Sequence, residues 1–147
     1  MFKMTRTANM DYLNDMIEWV LKKISVYMTL SKKQGNELRI VCEEILVNII
    51  LYAYQETDEK GNMTVELDFD EETGRLTLLF TDGGIAFNPL EAEEPDLAAD
   101  IMERPIGGLG IFMVKNIADS IEYERLGNQN RLTVRKTYQV GGESEKS

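Results

Sequence analysis

The sequence predicts an α+β fold, a two-layer sandwich in which helices cover one face of a mostly antiparallel sheet. Two observations support this class. Apolar residues recur with the helical period through residues 13–28 and dominate residues 40–54. Apolar and polar residues alternate through residues 63–69 and 76–80, on either side of a turn at residues 70–74, which predicts a hairpin with one buried face.

Length and composition limit the function classes. At 147 residues the chain is long enough for one domain, expected over residues 1–140, with a polar, disordered tail at residues 141–147. The net charge of −10 argues against nucleic acid and anionic membranes as partners, because both require a basic surface. The chain has no histidine, which excludes a Ser-His-Asp triad, a histidine metal site and a phosphohistidine relay.

The single cysteine, Cys42, excludes an intramolecular disulfide and a zinc cluster. It lies within an apolar segment, so we expect a buried structural thiol rather than a reactive one. The N-terminus lacks the apolar core of a signal peptide, and no apolar run is long enough to span a bilayer. These features favour a cytoplasmic protein.

The first elements are a short strand and a helix. Residues 2–7 predict a strand with Phe2 and Met4 facing inward, and Asn9 or Asp11 can cap a helix that runs to about Met28. A core stripe with helical spacing comprises Leu13, Ile17, Val20, Ile24 and Met28. A second, adjoining row comprises Tyr12, Met16, Trp19 and Tyr27, and it either widens the core or forms a partner or dimer surface.

Ser31 is the predicted cap of a long central helix that ends near Tyr54. Its segment Ile40 to Tyr54 is almost entirely apolar but carries Glu43, Glu44 and Asn48. Glu44 and Asn48 are spaced i and i+4, so they share one face of the helix. Taken alone, they could be a polar stripe that reaches solvent, and Glu43 is expected at the surface.

A long connection and three further elements complete the chain. Residues 82–110 contain all three prolines and five of the eleven glycines, and a connection of this length predicts a functional loop or lid. A short helix is expected over about residues 109–119. Two closing strands, joined by a turn at residues 127–128, present their apolar side chains on one face: Ile121, Tyr123, Leu132, Val134 and Tyr138.

Two glycine clusters flank the long connection. In FTDGGIAFNP, Asp82 ends a strand and could accept a hydrogen bond from an exocyclic amine, although Asp-Gly-Gly also fits a plain turn. In IGGLGIFMV, glycines open a helix, where backbone N–H groups can bind a phosphate or the segment can serve as a hinge. The second cluster lacks the lysine and hydroxyl of a P-loop.

The order of these segments resembles the GHKL ATPase superfamily, and most closely the bacterial anti-sigma-factor serine/threonine kinases. Three segments carry the resemblance: EEILVNIILYAY, DGGIAFNP and RPIGGLGIFMVKNIAD. The resemblance covers nearly the whole chain and implies the histidine kinase-like (Bergerat) fold, with ATP and Mg²⁺ as cofactors. It also implies a serine on an anti-anti-sigma protein as phosphate acceptor, a sigma factor as sequestered partner, and a homodimer, for which the row Tyr12, Met16, Trp19 and Tyr27 is one candidate surface.

By position, the resemblance implies a role for each matching residue. Asn48 corresponds to the magnesium ligand and Glu44 to the general base. Asp82 corresponds to the acceptor of the adenine amino group, and Gly84 to the glycine that lets adenine approach. The phosphate-side glycines correspond to Gly108 and Gly110.

Two cationic side chains lie near the second glycine cluster in the sequence. Arg104, just before the phosphate glycines, could meet the γ-phosphate as a lid cation or be a solvated surface residue, and Lys115 is expected at the surface. The sequence departs from the family pattern at Tyr52, Ala86 and Asn88, none of which removes a catalytic group.

The alternative to a kinase is an ATP-binding adaptor that sequesters a partner without turnover, and a third possibility is an interaction domain that binds no nucleotide.

Overall fold

A computed structural model of the protein describes residues 1–91 and 108–139. The main elements in chain order are β1 (Phe2–Thr7), α1 (Leu13–Ile24), α2 (Lys32–Asn48), β2 (Asn62–Asp70), β3 (Arg75–Asp82), α3 (Gly108–Ile117), β4 (Ser120–Leu126) and β5 (Gln129–Thr137). The five strands form one antiparallel sheet in the order β1-β2-β3-β5-β4. The predicted α+β fold with an antiparallel sheet is confirmed.

The alternating sequence patterns produce a sheet with one buried face. The inward residues of β2, β3 and β5 join the helices in one core and are Met63, Val65, Leu67, Phe69, Leu76, Leu78, Phe80, Leu132 and Val134. The β2–β3 turn is stabilised by Asp70, whose carboxylate accepts from the N–H groups of Glu72 and Thr73. Gly74 and Gly127 adopt positive φ at the two hairpin turns, a conformation that glycine adopts without steric cost.

Helix α1 begins as predicted but is shorter. The Asn9 side chain accepts from the Asp11 N–H and caps a 3₁₀ turn that leads into α1. The helix ends at Ile24, not near Met28. Ser25 Oγ donates to the carbonyl of Lys22, and side-chain bonds of this kind compete with helix continuation.

The row Tyr12, Met16, Trp19 and Tyr27 widens the core and does not form a continuous exposed surface. Met16 is completely buried, and Trp19 packs partly buried against the core. Tyr27 stacks on Phe69 with a ring-centroid distance of 5.2 Å. Only Tyr12 of the four is exposed, so the row presents little apolar area to a second copy of the chain.

Helix α2 carries the site residues and continues into an unpredicted π-helical segment. Ser31 and Gln34 form a capping box at its start, as the sequence predicts for Ser31. The helical path reaches Tyr54 as expected, but Ile49–Ala53 forms wider π-type turns. These turns present the Ala53 carbonyl to the glycine segment that follows β3, where it accepts from the Ile85 N–H at 2.9 Å.

Cys42 lies in the core on α2, as predicted for a structural thiol. Burial raises the pKa of the Cys42 thiol to about 12, so almost none of it is thiolate near neutral pH. We expect the folded protein to react with iodoacetamide at least about 100-fold more slowly than an exposed thiol, and at the ordinary rate in urea. Mass spectrometry of the labelled protein measures this, and rapid labelling of the folded chain would contradict the assignment.

Some predicted features lie outside the described residues. These are most of the expected lid, including Arg104, and the tail at residues 141–147. Within residues 1–91 and 108–139, no helix combines the length and the apolar character needed to cross a membrane.

Candidate functional site

A cleft lies between α2 and the ends of β3 and β5. The volume of this cleft is about 410 Å³, which includes open solvent at its mouth. Its lining is mostly apolar, with a few polar side chains: Ile45, Asn48, Ile49, Ala53, Phe80, Asp82, Phe87, Pro89, Tyr123, Asn130 and Leu132. An apolar cleft with a few convergent polar groups is the usual form of a site for a small organic ligand.

Asp82 is the last residue of β3, and its buried side chain lines the cleft. Its Oδ1 accepts from the Gly84 N–H and from Asn130 Nδ2, both at 2.9 Å. No described residue donates to the other oxygen, Oδ2. Burial raises the pKa of Asp82, while the bonds from Asn130 and Gly84 and the charge of Arg125 act in the opposite direction. The carboxylate is therefore held by one oxygen and can accept from a ligand amine with the other.

The segment Asp82-Gly83-Gly84 is fixed against the end of the central helix. A Cβ on Gly84 would lie 2.5 Å from the Ala53 carbonyl carbon and 2.6 Å from Ala53 Cβ, which is closer than any side chain permits. The Gly83 N–H donates to the Tyr54 hydroxyl at 2.8 Å, and that hydroxyl donates to the Asn62 carbonyl. The close backbone contact, rather than a plain turn, explains the glycine at position 84.

Asn48 lines the cleft, and Glu44 lies one turn earlier on α2, outside the set of lining residues. Asn48 faces the cleft, and the Glu44 carboxylate lies against the first turn of α3, where a Cβ on Gly110 would be 2.6 Å from Glu44 Cδ. Burial and, secondly, the negative charge of Glu43 raise the pKa of Glu44. Glu43 itself is exposed, as expected. Glycine at position 110 therefore leaves room for a partly desolvated carboxylate at a helix N-terminus.

The remaining predicted residues are placed as follows. Gly108 is the first residue of α3. Lys115 is exposed and its Nζ donates to the Leu90 carbonyl at 3.4 Å, in line with a surface position. Tyr52 packs its ring on Phe87, with centroids 5.7 Å apart. Asn88 accepts from the Leu90 N–H and so begins the turn Pro89–Glu91, and Ala86 is exposed.

The donor set limits the kind of metal that the cleft can hold. Among the described residues, no three His, Cys, Asp or Glu side chains converge on a point. Asn48 supplies one amide oxygen at the cleft, and Mg²⁺ usually takes few protein ligands and completes its shell with phosphate oxygens and water. The residues present therefore fit a metal ion that arrives with a phosphate ligand.

A comparison with protein families gives a match over most of the chain. The profile of the histidine kinase-like ATPase domain matches residues 7–136. The chain belongs to this ATPase domain family. The matched range covers strands β2, β3 and β4 and helices α1, α2 and α3, and it includes the cleft described above.

Two individual proteins are similar to this ATPase domain. The serine/threonine-protein kinase BtrW of Bordetella bronchiseptica is 24% identical over 120 residues, which is 82% of each chain. The histidine kinase domain of the blue-light activated histidine kinase from Erythrobacter litoralis EL346 superposes with a TM-score of 0.45 at 15% identity. That alignment covers 69% of this chain and 43% of the histidine kinase chain.

The ATPase domain also contains site residues that the sequence alone does not single out. Asn130, Tyr123 and Arg125 form a hydrogen-bonded group around Asp82, and Tyr54 holds Gly83. A signal for Asn130 exists in the sequence, since it takes an inward position of a strand whose next inward residues are Leu132 and Val134. A polar residue at such a position needs a buried partner, but the pattern does not name that partner.

Proposed function

We propose that this ATPase domain is a serine/threonine-protein kinase that transfers the γ-phosphate of Mg-ATP to a serine on a partner protein. The observation that carries the proposal is the position of Glu44. Its carboxylate lies at the start of α3, on the same helix face as Asn48. A cleft that only holds a nucleotide has no use for a partly desolvated carboxylate at this position.

Nucleotide binding would use both ends of the cleft. The adenine ring would lie among the apolar lining residues, and its amino group would donate to Asp82 Oδ2. The N-terminus of α3, with Gly108 and Gly110, offers backbone N–H groups and the positive end of a helix dipole to the phosphates. Asn48 would hold Mg²⁺ together with phosphate oxygens, and the bound ion would neutralise charge on those oxygens.

In the transfer step, Glu44 is the general base. The acceptor hydroxyl attacks the γ-phosphorus, a bond from its Oγ to phosphorus forms, and the bond between phosphorus and the β–γ bridging oxygen breaks. The hydroxyl proton passes to the Glu44 carboxylate, and ADP leaves with the electron pair of the broken bond. The raised pKa of Glu44 improves it as a proton acceptor near neutral pH.

The proposed acceptor is a serine on an anti-anti-sigma protein, and the proposed regulated partner is a sigma factor. The resemblance to anti-sigma-factor kinases supports both partners, and the similarity to BtrW, named as a serine/threonine-protein kinase, supports the activity. The same resemblance supports a homodimer and magnesium dependence, and we also propose a cytoplasmic location. Arg104 is proposed as a lid cation that meets the γ-phosphate.

A phosphotransfer assay tests the proposal. Proteins captured by the chain from its native cell are incubated with the chain, Mg²⁺ and γ-labelled ATP, and mass spectrometry locates any phosphoserine. We expect label on one captured protein. A chain that binds ATP without labelling any partner would be the adaptor, and the absence of any thermal shift with Mg-ATP would indicate a nucleotide-free domain. A saturating ligand at about hundredfold its Kd adds about 2.7 kcal/mol of stability.

Asn48→Ala is expected to weaken ATP binding only when magnesium is present, because the side chain acts through the metal. Loss of a metal ligand or its support typically costs about 10- to 100-fold in metal affinity. Titration calorimetry with ATP, with Mg²⁺ and with EDTA, measures the effect. Asn36→Ala, at an exposed position of the same helix, is the matched control. Equal ATP affinity of the Asn48 variant and the wild type under both conditions would remove Asn48 from the metal site.

Glu43→Gln is expected to shift the pH dependence of transfer. The base works only when ionised, so activity falls as the pH drops through the raised pKa of Glu44. Removing the charge of Glu43 lowers that pKa, and the acid limb of the kcat profile should move to lower pH. Glu66→Gln, on the opposite face of the sheet, makes the same charge change and should leave the limb in place. Coincident acid limbs for wild type and the Glu43 variant would contradict the role of Glu44.

A further inference from the structure

Asn130 occupies an unusual position in the sheet. It faces the core side of β5 directly opposite Asp82 of β3, and its side chain is 6% exposed. The next inward residues of the same strand are apolar. A buried amide at this position has to be explained by the groups that it bonds.

Protein groups occupy both ends of the Asn130 amide. Nδ2 donates to Asp82 Oδ1 at 2.9 Å and to the Ile85 carbonyl at 2.7 Å. Oδ1 accepts from the Phe87 N–H and from Arg125 Nη1, both at 3.2 Å, and from the Tyr123 hydroxyl. Rotating the amide by half a turn would place oxygen against two acceptors and N–H groups against three donors. The orientation is therefore fixed, and the amide has no free N–H with which to bond a ligand.

Because its hydrogen-bonding groups are all occupied, Asn130 does not hydrogen-bond a ligand directly, and its role runs through Asp82. Asn130 and Gly84 both bond Asp82 Oδ1, which leaves Oδ2 without a donor among the described residues and available to a ligand. The same amide holds the backbone at Ile85 and Phe87, on the far side of the glycine segment. One side chain thus fixes the carboxylate and the loop that surrounds it.

We propose that Asn130 is the positioning residue that fixes the Asp82 carboxylate, and that it thereby sets the preference of the cleft for a 6-amino purine over a 6-oxo purine. This inference rests on the proposed function, because it assumes that the cleft binds a purine nucleotide. A 6-amino group donates to the fixed carboxylate, whereas a 6-oxo group presents an acceptor to it. A buried site built for one hydrogen-bond pattern strongly rejects the opposite pattern.

The isosteric change Asn130→Asp separates positioning from simple packing. It keeps the volume but replaces the donor that faces Asp82 with a second carboxylate. Two adjacent carboxylates share one proton, and the shared proton restores the lost donor when the pH falls. The other groups that face Asp82 do not change: the Arg125 cation from β4 and the hydroxyl of Tyr54, which directly follows the π-helical segment.

The experiment measures binding of Mg-ATP and Mg-inosine triphosphate to wild type and Asn130→Asp at about pH 8 and about pH 6. At the higher pH we expect the variant to lose about 10- to 100-fold in ATP affinity and most of its preference for ATP. At the lower pH part of the affinity should return, while wild type changes little. Arg131→Gln alters the next residue, whose side chain is on the opposite face, and should behave as wild type.

Several results would overturn the inference. The first is an unchanged preference of Asn130→Asp for ATP over inosine triphosphate, including the case in which the affinity for both nucleotides falls equally. The second is a loss of ATP affinity that does not depend on pH. If Asn130→Asp fails to fold, Tyr123→Phe serves as the second variant, because it removes one hydrogen-bond donor to the Asn130 amide. It should lower the preference for ATP over inosine triphosphate by about 3- to 10-fold. An unchanged preference in Tyr123→Phe also overturns the inference. If wild type itself does not bind Mg-ATP, the proposed function fails as well, and that outcome is distinct from a failure confined to Asn130.

Discussion

Glu44→Gln is expected to reduce phosphotransfer by about 10²- to 10⁴-fold while the chain still binds Mg-ATP. Glutamine keeps the size and hydrogen-bonding reach of the side chain but cannot take the proton of the acceptor hydroxyl. The carboxylate that is lost lies against Gly110 at the start of α3. Single-turnover transfer with labelled ATP measures the rate, and calorimetry measures the binding.

Gly110→Ala provides an independent check of the same position. A methyl group there would overlap the end of the Glu44 side chain, which can rotate away, so the chain should fold but transfer slowly. Transfer by Glu44→Gln at the wild-type rate would show that Glu44 is not the base. Loss of ATP binding in that variant would instead make Glu44 a binding group.

Gly84→Ala is expected to abolish ATP binding and to lower the free energy of unfolding by about 1–3 kcal/mol. The added methyl group would overlap the backbone of Ala53, which cannot rotate away as a side chain can. The glycine segment and the end of α2 must then separate, and Asp82 moves with them. Urea denaturation measures the stability, and a thermal shift with Mg-ATP measures the binding.

Gly35→Ala is the matched control for this change. Gly35 lies in α2, and a Cβ there would meet nothing within 4 Å. Alanine is the better helix former by about 1 kcal/mol, so this variant should be equal to wild type or more stable. A Gly84 variant as stable as this control, with normal ATP binding, would mean that the contact with Ala53 is not required.

The sequence predicted the strands and the cap of α2 well because local patterns determine them. Alternation of apolar and polar residues fixes which side of a strand is buried, and this held for β2 and β3. The Ser31 cap is equally local, since its partner is Gln34. Local patterns were less accurate at the end of α1, where the Ser25 side chain bonds the helix backbone and the periodicity of the apolar residues continues past the true end.

The helical period could not decide whether the row of Tyr12, Met16, Trp19 and Tyr27 is buried, and the row extends beyond both ends of α1. Met16 and Tyr12 belong to the same row, yet one is completely buried and the other is partly exposed. Burial depends on what packs against each turn of the helix. Phe69 from β2 covers Tyr27, and no pattern within α1 contains that information.

By itself, the sequence determined the class of fold, the order of the glycine segments and the pairing of Glu44 with Asn48 on one helix face. Spacing along a single helix or strand is sufficient for such features. The tertiary structure alone decided how Asp82 is held, because Asn130 is 48 residues away along the chain and meets it only through the β3–β5 register. It also decided that Gly84 must be glycine, because the π-helical end of α2 brings the Ala53 backbone against it. Contacts between distant segments depend on how the elements pack, and the local periodicity of each element does not contain that packing.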